Sequence, residues 1–387
     1  MLRKYIIAAV WLVATLQLQS QNSQVQQMVN NISGDSLFAV IAALQPMDRV
    51  AAHKDYTAVY YLALVMKQYD LDTVYLHHYS SSEVPNVVGI KYGKVHPDKY
   101  HVVGAHYDAV VAGAGADDNA SGTAGVIDIL RASHGFDFEK SIVFVLFSAE
   151  ETGLNGSRAF ADSLCAVEDV EAMMNMDMIA YNPSWADTSV SVCVNNLSVN
   201  LLMNYKTNTA IYVPLLKVDV DSTSWVINAS DHKPFWDNGV PALFMIETSD
   251  FNGPDWNPYY HTAADTIGTS ANSPVLAEYI TKSVAATLFE YASPIDYSGM
   301  KNVIVKNTDN ISLIPNPAKN LVAIHSNTIL SSEATVNIYT TNGMLVKSVK
   351  PNEQFPVTIS LEAIPAGYYI VTIMHSGDTT VKRLLIY

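Results

Sequence analysis

Four short, mainly apolar runs, at residues 102–105, 142–147, 172–176 and 240–246, each lead into a histidine or an acid within a few residues. Apolar runs of this length suit strands buried on both faces of a sheet that is covered by helices. Between and around them lie stretches with apolar residues at helical spacing, at 35–44, 56–66 and 274–292. Ser121 is expected to cap a helix through Val126, Ile127 and Leu130, and Ser157 to start one through Phe160 and Leu164. Two extended segments, 73–79 and 86–92, precede the first apolar run. The alternation predicts an α/β domain with a mixed, largely parallel sheet flanked by helices, whose chemistry sits at the carboxyl ends of the strands.

At 387 residues the chain has room for a second, smaller module. Past residue 298 the texture turns to short alternating runs, such as Val336, Ile338 and Tyr339, then Met344 and Val346, joined by Asn342-Gly343, a strong hairpin signal. With further strands at 368–374 and 381–386, residues 311–387 are expected to form a small all-β sandwich after a linker at 298–310. Chemistry is expected only in residues 21–297.

Arg3 and Lys4, an apolar run at 5–18 and the polar Gln19, Ser20, Gln21 and Asn22 give the charged, apolar, polar order of a secretory signal peptide, expected at 1–20. The run falls short of the roughly 20 residues a membrane-spanning helix needs, so the mature chain is expected to hold no membrane-spanning segment. Cys165 and Cys193 allow at most one disulfide, which leaves the fold to stand on its core. A formal charge of −15 argues against a nucleic-acid partner.

The chemistry concentrates in five segments: His106-Tyr107-Asp108, Asp117-Asp118-Asn119-Ala120-Ser121-Gly122, Glu150-Glu151, Asn175-Met176-Asp177 and Tyr260-His261-Thr262. Singly, each has a plain structural explanation as a core histidine, a helix cap or a solvated turn. Together they place carboxylates and imidazoles after the most apolar strands, where an unpaired buried charge costs several kcal/mol. A bound metal removes that cost, and imidazole plus carboxylate without thiolate suits catalytic zinc.

In these segments the chain resembles the co-catalytic zinc exopeptidases, which include secreted bacterial aminopeptidases, glutamate carboxypeptidases and the divergent glutaminyl cyclases. The resemblance spans roughly residues 50–295 and keeps every metal-binding motif in order. It implies that His106 and Asp177 bind one zinc, that Glu151 and His261 bind another, that Asp118 bridges both, and that Glu150 is the general base. Two zinc ions about 3.5–4 Å apart lower the pKa of a shared water toward neutrality, and Glu150 would pass its proton to the leaving amine. Asp108 stands two residues after His106 and is expected to accept the other imidazole N–H.

Some relatives use a Tyr ahead of the Ser-Asp-His segment as an oxyanion donor, but here Ser230 follows Ile227, Asn228 and Ala229. Tyr260 is therefore expected to take that role, as in relatives with a Tyr just before the last zinc histidine. Trp225, Phe244, Phe251, Trp256 and Tyr259 could wall an apolar pocket, and packing alone would account for them as well.

The tail has a second resemblance. Pro315-Asn316-Pro317, the Asn342-Gly343 turn, Ala366-Gly367-Tyr368-Tyr369 and Lys382-Arg383 are similar to the C-terminal sorting domain of type IX secretion, over nearly all of 311–387. It implies handling by that secretion machinery, passage through the periplasm, and a secreted or outer-membrane-surface location. The two resemblances together imply a secreted aminopeptidase acting on peptide substrates. A glutaminyl cyclase, a carboxypeptidase-like enzyme and a non-catalytic surface binding protein remain as alternatives.

Overall fold

The computed structural model describes residues 21–183, 188–297, 311–326, 334–340, 344–351, 356–375 and 378–387. The expected signal peptide, the 298–310 linker and the Asn342-Gly343 turn lie outside these residues. The chain divides into two compact units, Met1–Ile295 and Asp296–Tyr387.

In the first unit the elements run α1 (Ser23–Asn31), α2 (Gly34–Leu44), α3 (Thr57–Met66), β1 (Thr73–His77), β2 (Asn86–Lys91), β3 (His96–His106), α4 (Ala120–Ala132), β4 (Lys140–Phe147), α5 (Asn155–Cys165) and β5 (Asp169–Met176). They continue with β6 (Ser189–Cys193), α6 (Val199–Tyr212), β7 (Lys217–Asp221), α7 (Lys233–Asp237), β8 (Ala242–Ile246) and α8 (Pro274–Ala292). Eight strands form one sheet in the order β1-β2-β4-β3-β5-β8-β6-β7. The central neighbours β4-β3, β3-β5 and β5-β8 are parallel, as is β6-β7, whereas β1-β2, β2-β4 and β6-β8 are antiparallel. The mixed, largely parallel sheet is thus present, and the parallel strands in its middle are the ones that run into the acids and histidines.

Burial explains the placement. All or nearly all of β2, β4 and β8 is buried, because helices cover the sheet on both faces. One face packs on α1–α4, α6 and α8 through residues such as Ile41, Leu62, Val103, Ile129, Phe144 and Val284. The other packs on α5 and α7 through Phe147, Phe160, Met173 and Phe235.

Two helix starts differ from expectation. The residue capping α4 is Asn119, whose Oδ1 accepts from Gly122 N at 2.8 Å. Ser121 instead lies inside the first turn, donates to Asp117 O at 2.7 Å and accepts from Ile179 N at 3.0 Å. Its hydroxyl therefore ties the Asp117-Asp118 loop to the loop after β5. Helix α5 begins at Asn155 rather than Ser157, after Leu154 at φ 62°. At Gly122 a Cβ would lie 2.3 Å from Met176 O, so only glycine lets α4 approach the end of β5 this closely.

The N-terminal helices belong to the same core. Val25, Met28, Ile32, Leu37, Ile41 and Leu44 are buried in it. Asn22 N donates to Tyr212 Oη at 2.8 Å, Gln24 Nε2 to Ile295 O at 3.1 Å and Gly34 N to Glu278 Oε2 at 2.8 Å.

The second unit contains β9 (Ile311–Ile314), β10 (Leu321–Ser326), β11 (Thr335–Thr340), β12 (Leu345–Val349), β13 (Val357–Ser360), β14 (Gly367–His375) and β15 (Asp378–Ile386). They form an antiparallel three-stranded sheet, β13-β10-β9, and an antiparallel four-stranded sheet, β12-β11-β14-β15. Alternate residues of both sheets, among them Val322, Ile324, Val336, Ile338, Val371 and Leu384, meet in one core. Cys165 and Cys193 are both free. Among the described residues no helix is long and apolar enough to cross a membrane.

Candidate metal centre

The five sequence segments converge at the carboxyl ends of the central strands. His106 ends β3 and pairs in register with Phe147 at the end of β4; Glu150 and Glu151 follow β4, and Asp177 follows β5. Asp118 sits in the loop before α4, and His261 comes from the long connection between β8 and α8. Ala149, Met178 and His261 have φ of 57°, 56° and 57°. Such left-handed backbone in non-glycine residues stores strain and clusters at functional sites.

Among the described residues three groups of side chains could hold a metal ion; two of them share Asp118, and the third joins His106, Glu150 and Glu151. His106 Nε2 lies 3.4 Å from Asp118 Oδ1 and 3.3 Å from Asp177 Oδ1. His261 Nε2 lies 3.2 Å from Asp118 Oδ2 and 3.0 Å from Glu151 Oε2. One oxygen of Asp118 thus faces each imidazole. Asp118 Oδ2, Glu151 Oε1 and Asp177 Oδ1 are buried without a hydrogen-bonded partner. Charge-assisted hydrogen bonds run about 2.7–2.9 Å, whereas two ligand atoms on one tetrahedral zinc lie about 3.3 Å apart when each bond is about 2.0–2.1 Å. The spacing and the unmatched oxygens both fit a bound cation. The inner set is closed, with His106 side-chain exposure at 1%, while His261 at 38% opens the outer set to solvent.

The surrounding groups hold this arrangement. Asp265 accepts from Asp117 N at 2.8 Å and Asp118 N at 3.1 Å. Ser230 Oγ donates to Asp177 Oδ2 at 2.7 Å and accepts from Asn175 Nδ2 at 2.8 Å, which gives the Ser-Asp-His segment its structural task. Asp117 points away from the ligands, accepting from Ala180 N at 2.9 Å and Asn257 Nδ2 at 2.8 Å.

Asp108 reaches His106 Nδ1 chiefly with its backbone carbonyl, at 3.2 Å, and its Oδ1 lies at 3.5 Å. Its carboxylate accepts from Glu150 N at 3.2 Å and Glu151 N at 3.3 Å. It therefore organises the Glu150-Glu151 turn as well as the histidine.

Protonation reflects crowded acids. Burial, then the charge of Glu151, pushes the Asp118 carboxyl up to about 7, although His261 opposes the rise. Burial, then Asp231, Asp177 and Glu151, raises Glu150 well above the usual carboxylate range against the pull of His106. Burial disfavours the imidazolium of His261, but Asp118 and Glu151 outweigh it and raise that group to about 10. A metal bound here would displace these protons.

Glu150, Asp118, Glu151, Asp177 and His261 line one cleft together with Tyr260. The Tyr260 ring stacks on the His261 imidazole with centroids 3.8 Å apart, and burial followed by the neighbouring carboxylates raises its hydroxyl pKa. Trp225, Phe244 and Trp256 line the same cleft, joined by Met178, Val226 and Ile246. Phe251 stands behind, packed on Trp225 and Trp256 at 4.8 and 4.7 Å between centroids. Tyr259 turns elsewhere, toward Tyr181 at 6.3 Å.

Sequence reasoning did not find Arg49, Asn257 or Asp265. They stand in coil segments without apolar periodicity, and only their three-dimensional contacts show their link to the site.

The fold and the site define an α/β protein with candidate metal-binding groups at the carboxyl ends of its strands. The family model of peptidase family M28 matches residues 86–285, and the chain belongs to that family. Residues 312–387 match the secretion system C-terminal sorting domain. Aminopeptidase YwaD of Bacillus subtilis is 33% identical over 198 residues, covering 50% of this chain and 42% of that protein. The chain spans about half the length of the curated relatives it matches. Among solved structures, Legionella pneumophila LapA aminopeptidase matches with a TM-score of 0.62 at 23% identity, over 70% of this chain and 75% of that one. Porphyromonas gingivalis glutaminyl cyclase matches with a TM-score of 0.54 at 18% identity, over 68% and 99%. At these identities the structural matches show the fold.

Proposed function

We propose that the first unit is a zinc-dependent aminopeptidase that removes N-terminal residues from peptides, and that residues 311–387 direct it through type IX secretion. On this reading residues 1–20 are a signal peptide, 21–297 the catalytic domain and 298–310 a linker, and the protein acts outside the cell or on the outer-membrane surface. The observation that carries the enzymatic reading is the pair of ligand sets joined through Asp118, with Glu150 beside them in one cleft.

His106 and Asp177 would hold one zinc, Glu151 and His261 a second, and Asp118 both. When bound, the metals polarise the scissile carbonyl and acidify an attacking water. Glu150, raised by its buried surroundings, takes a proton from water and delivers it to the leaving amine. Asp108 fixes the backbone of Glu150 and Glu151. Tyr260, held by its stack on His261, donates its hydroxyl proton in a hydrogen bond to the developing oxyanion. The aromatic and aliphatic wall of the cleft favours an apolar N-terminal side chain.

Cyclases share this fold, and the test separates the two activities. A peptide pool that includes one N-terminal Gln peptide is incubated with the purified protein, with and without chelator, and followed by mass spectrometry. Chelator-sensitive loss of successive N-terminal residues is expected. Loss of ammonia alone from the Gln peptide would make the protein a cyclase, C-terminal trimming a carboxypeptidase, and no change a binding protein. Tyr260→Phe is expected to lower kcat about 10²-fold with little change in KM; an unchanged kcat would remove Tyr260 from the mechanism.

A further inference from the structure

Two Lys or Arg side chains are buried among the described residues, Lys91 and Arg49. Lys91 is matched by Asp70 at 2.6 Å. Arg49, 3% exposed, instead spends its hydrogen bonds on main-chain carbonyls: Nη1 donates to Tyr107 O at 2.7 Å, and Nη2 to Ala114 O at 2.6 Å and Gly115 O at 2.7 Å. Tyr107 directly follows His106, and Gly115 precedes Asp118 by three residues. Arg49 O in turn accepts from Ala109 N at 3.3 Å. The side chain and its own backbone therefore clasp the strand end that carries one ligand and the loop that carries the shared one.

Two more features point the same way. Gly115 has φ 60°, and a Cβ there would lie 2.6 Å from Arg49 Nη2 and 2.6 Å from Asp118 O, so the guanidinium, the glycine and the Asp118 backbone are in close contact. The carboxylates of Asp108, Asp265, Asp118 and Glu151 surround the guanidinium with favourable charge, against the burial that lowers its pKa. A planar fork can serve two carbonyl-bearing loops at once, and an ammonium cannot reproduce that geometry.

We propose that Arg49 is a positioning residue of the metal centre, whose guanidinium sets the spacing between His106 and Asp118 by tying their two segments together. The proposal rests on the metal-binding reading of those residues. It also makes the coil after α2 a working part of the centre, a role strengthened by Gln45 Oε1, which accepts from Ile267 N beyond Asp265 at 2.8 Å.

The test is zinc affinity, measured on the full chain by competition with a fluorescent chelator, alongside thermal unfolding of the metal-free protein. Arg49→Lys keeps the charge and removes the fork; it is expected to weaken zinc binding roughly 10–100-fold while the metal-free protein still unfolds cooperatively. Arg49→Gln removes the charge and shortens the side chain so that it cannot span both loops; it is expected to weaken zinc similarly and carries the test if Arg49→Lys does not fold. Zinc affinity unchanged in either folded variant would overturn the positioning role. A parent protein that takes up no zinc would overturn the metal reading and this proposal with it.

Discussion

Glu150→Gln is expected to leave zinc content at the parent level and to lower peptide turnover about 10²–10⁴-fold, the usual worth of a general base. The substitution keeps shape and removes the group that takes the water proton. Its carboxylate lies in the cleft beside the two sets that share Asp118, and because it also groups with His106 and Glu151, metal content has to be read together with turnover. Metal analysis and steady-state kinetics on the same preparation decide the matter. Equal loss of metal and turnover would mean that Glu150 is a ligand and Glu151 the base.

The second large effect is expected at Asp118, and it takes a different form with and without metal. Asp118→Asn removes the carboxylate that faces both histidines, so zinc content and turnover should both collapse. In the metal-free protein the imidazoles of His106 and His261 that face Asp118 offset part of its burial cost, so the effect there is read from its pH dependence. There, burial and Glu151 raise the Asp118 carboxyl to about 7, so holding the ionised form folded is costly. For an acid raised in the folded state, this cost is absent below its unfolded value, grows as pH rises through the interval, and is complete above about 7. Thermal unfolding in chelator should therefore show the parent losing stability relative to the Asn variant as pH rises from about 4 toward 7. A stability difference independent of pH over that interval would show that the Asp118 carboxyl is not raised in the metal-free protein. Zinc affinity of the parent should rise across the same interval, because His261 and Asp118 shed protons on loading.

The strand ends were legible because burial on both faces leaves a plain mark in the sequence. Val102 to His106 and Ile142 to Phe147 are apolar enough that the charged residues after them stand out. The helix starts were less legible. Asn119 and Ser121 can both cap; Asn119 Nδ2 donates to Met176 O, which holds its Oδ1 toward Gly122 N, while Ser121 Oγ is taken by Asp117 O and Ile179 N. Helix α6 escaped notice because Asn208 and Thr209 are buried on its inner side, where a periodic pattern expects apolar residues. Helix α1 is short, and its three buried residues, Val25, Met28 and Val29, lie among glutamines and asparagines. Arg49 was hidden for a different reason: its role is to bind carbonyl oxygens, which every residue carries.

The packing of α1 and α2 against α8 has a consequence for the order of assembly. Gln24 bonds to the carbonyl of Ile295 across 271 residues, and Gly34 to Glu278 across 244. Contacts of such sequence separation form slowly, because a long loop must close before they give any return. As the chain emerges from its amino end, α2 can pack on α4 through Ser33, Ser36 and Asp128, whereas its bonds and those of α1 to the last helix and the segment beyond it form only when residues 274–295 have arrived. The coil carrying Arg49 follows those helices directly, and its clasp on the ligand loops closes over only 58 to 66 residues, so metal uptake is expected to wait on the arrival of His261 rather than on the clasp.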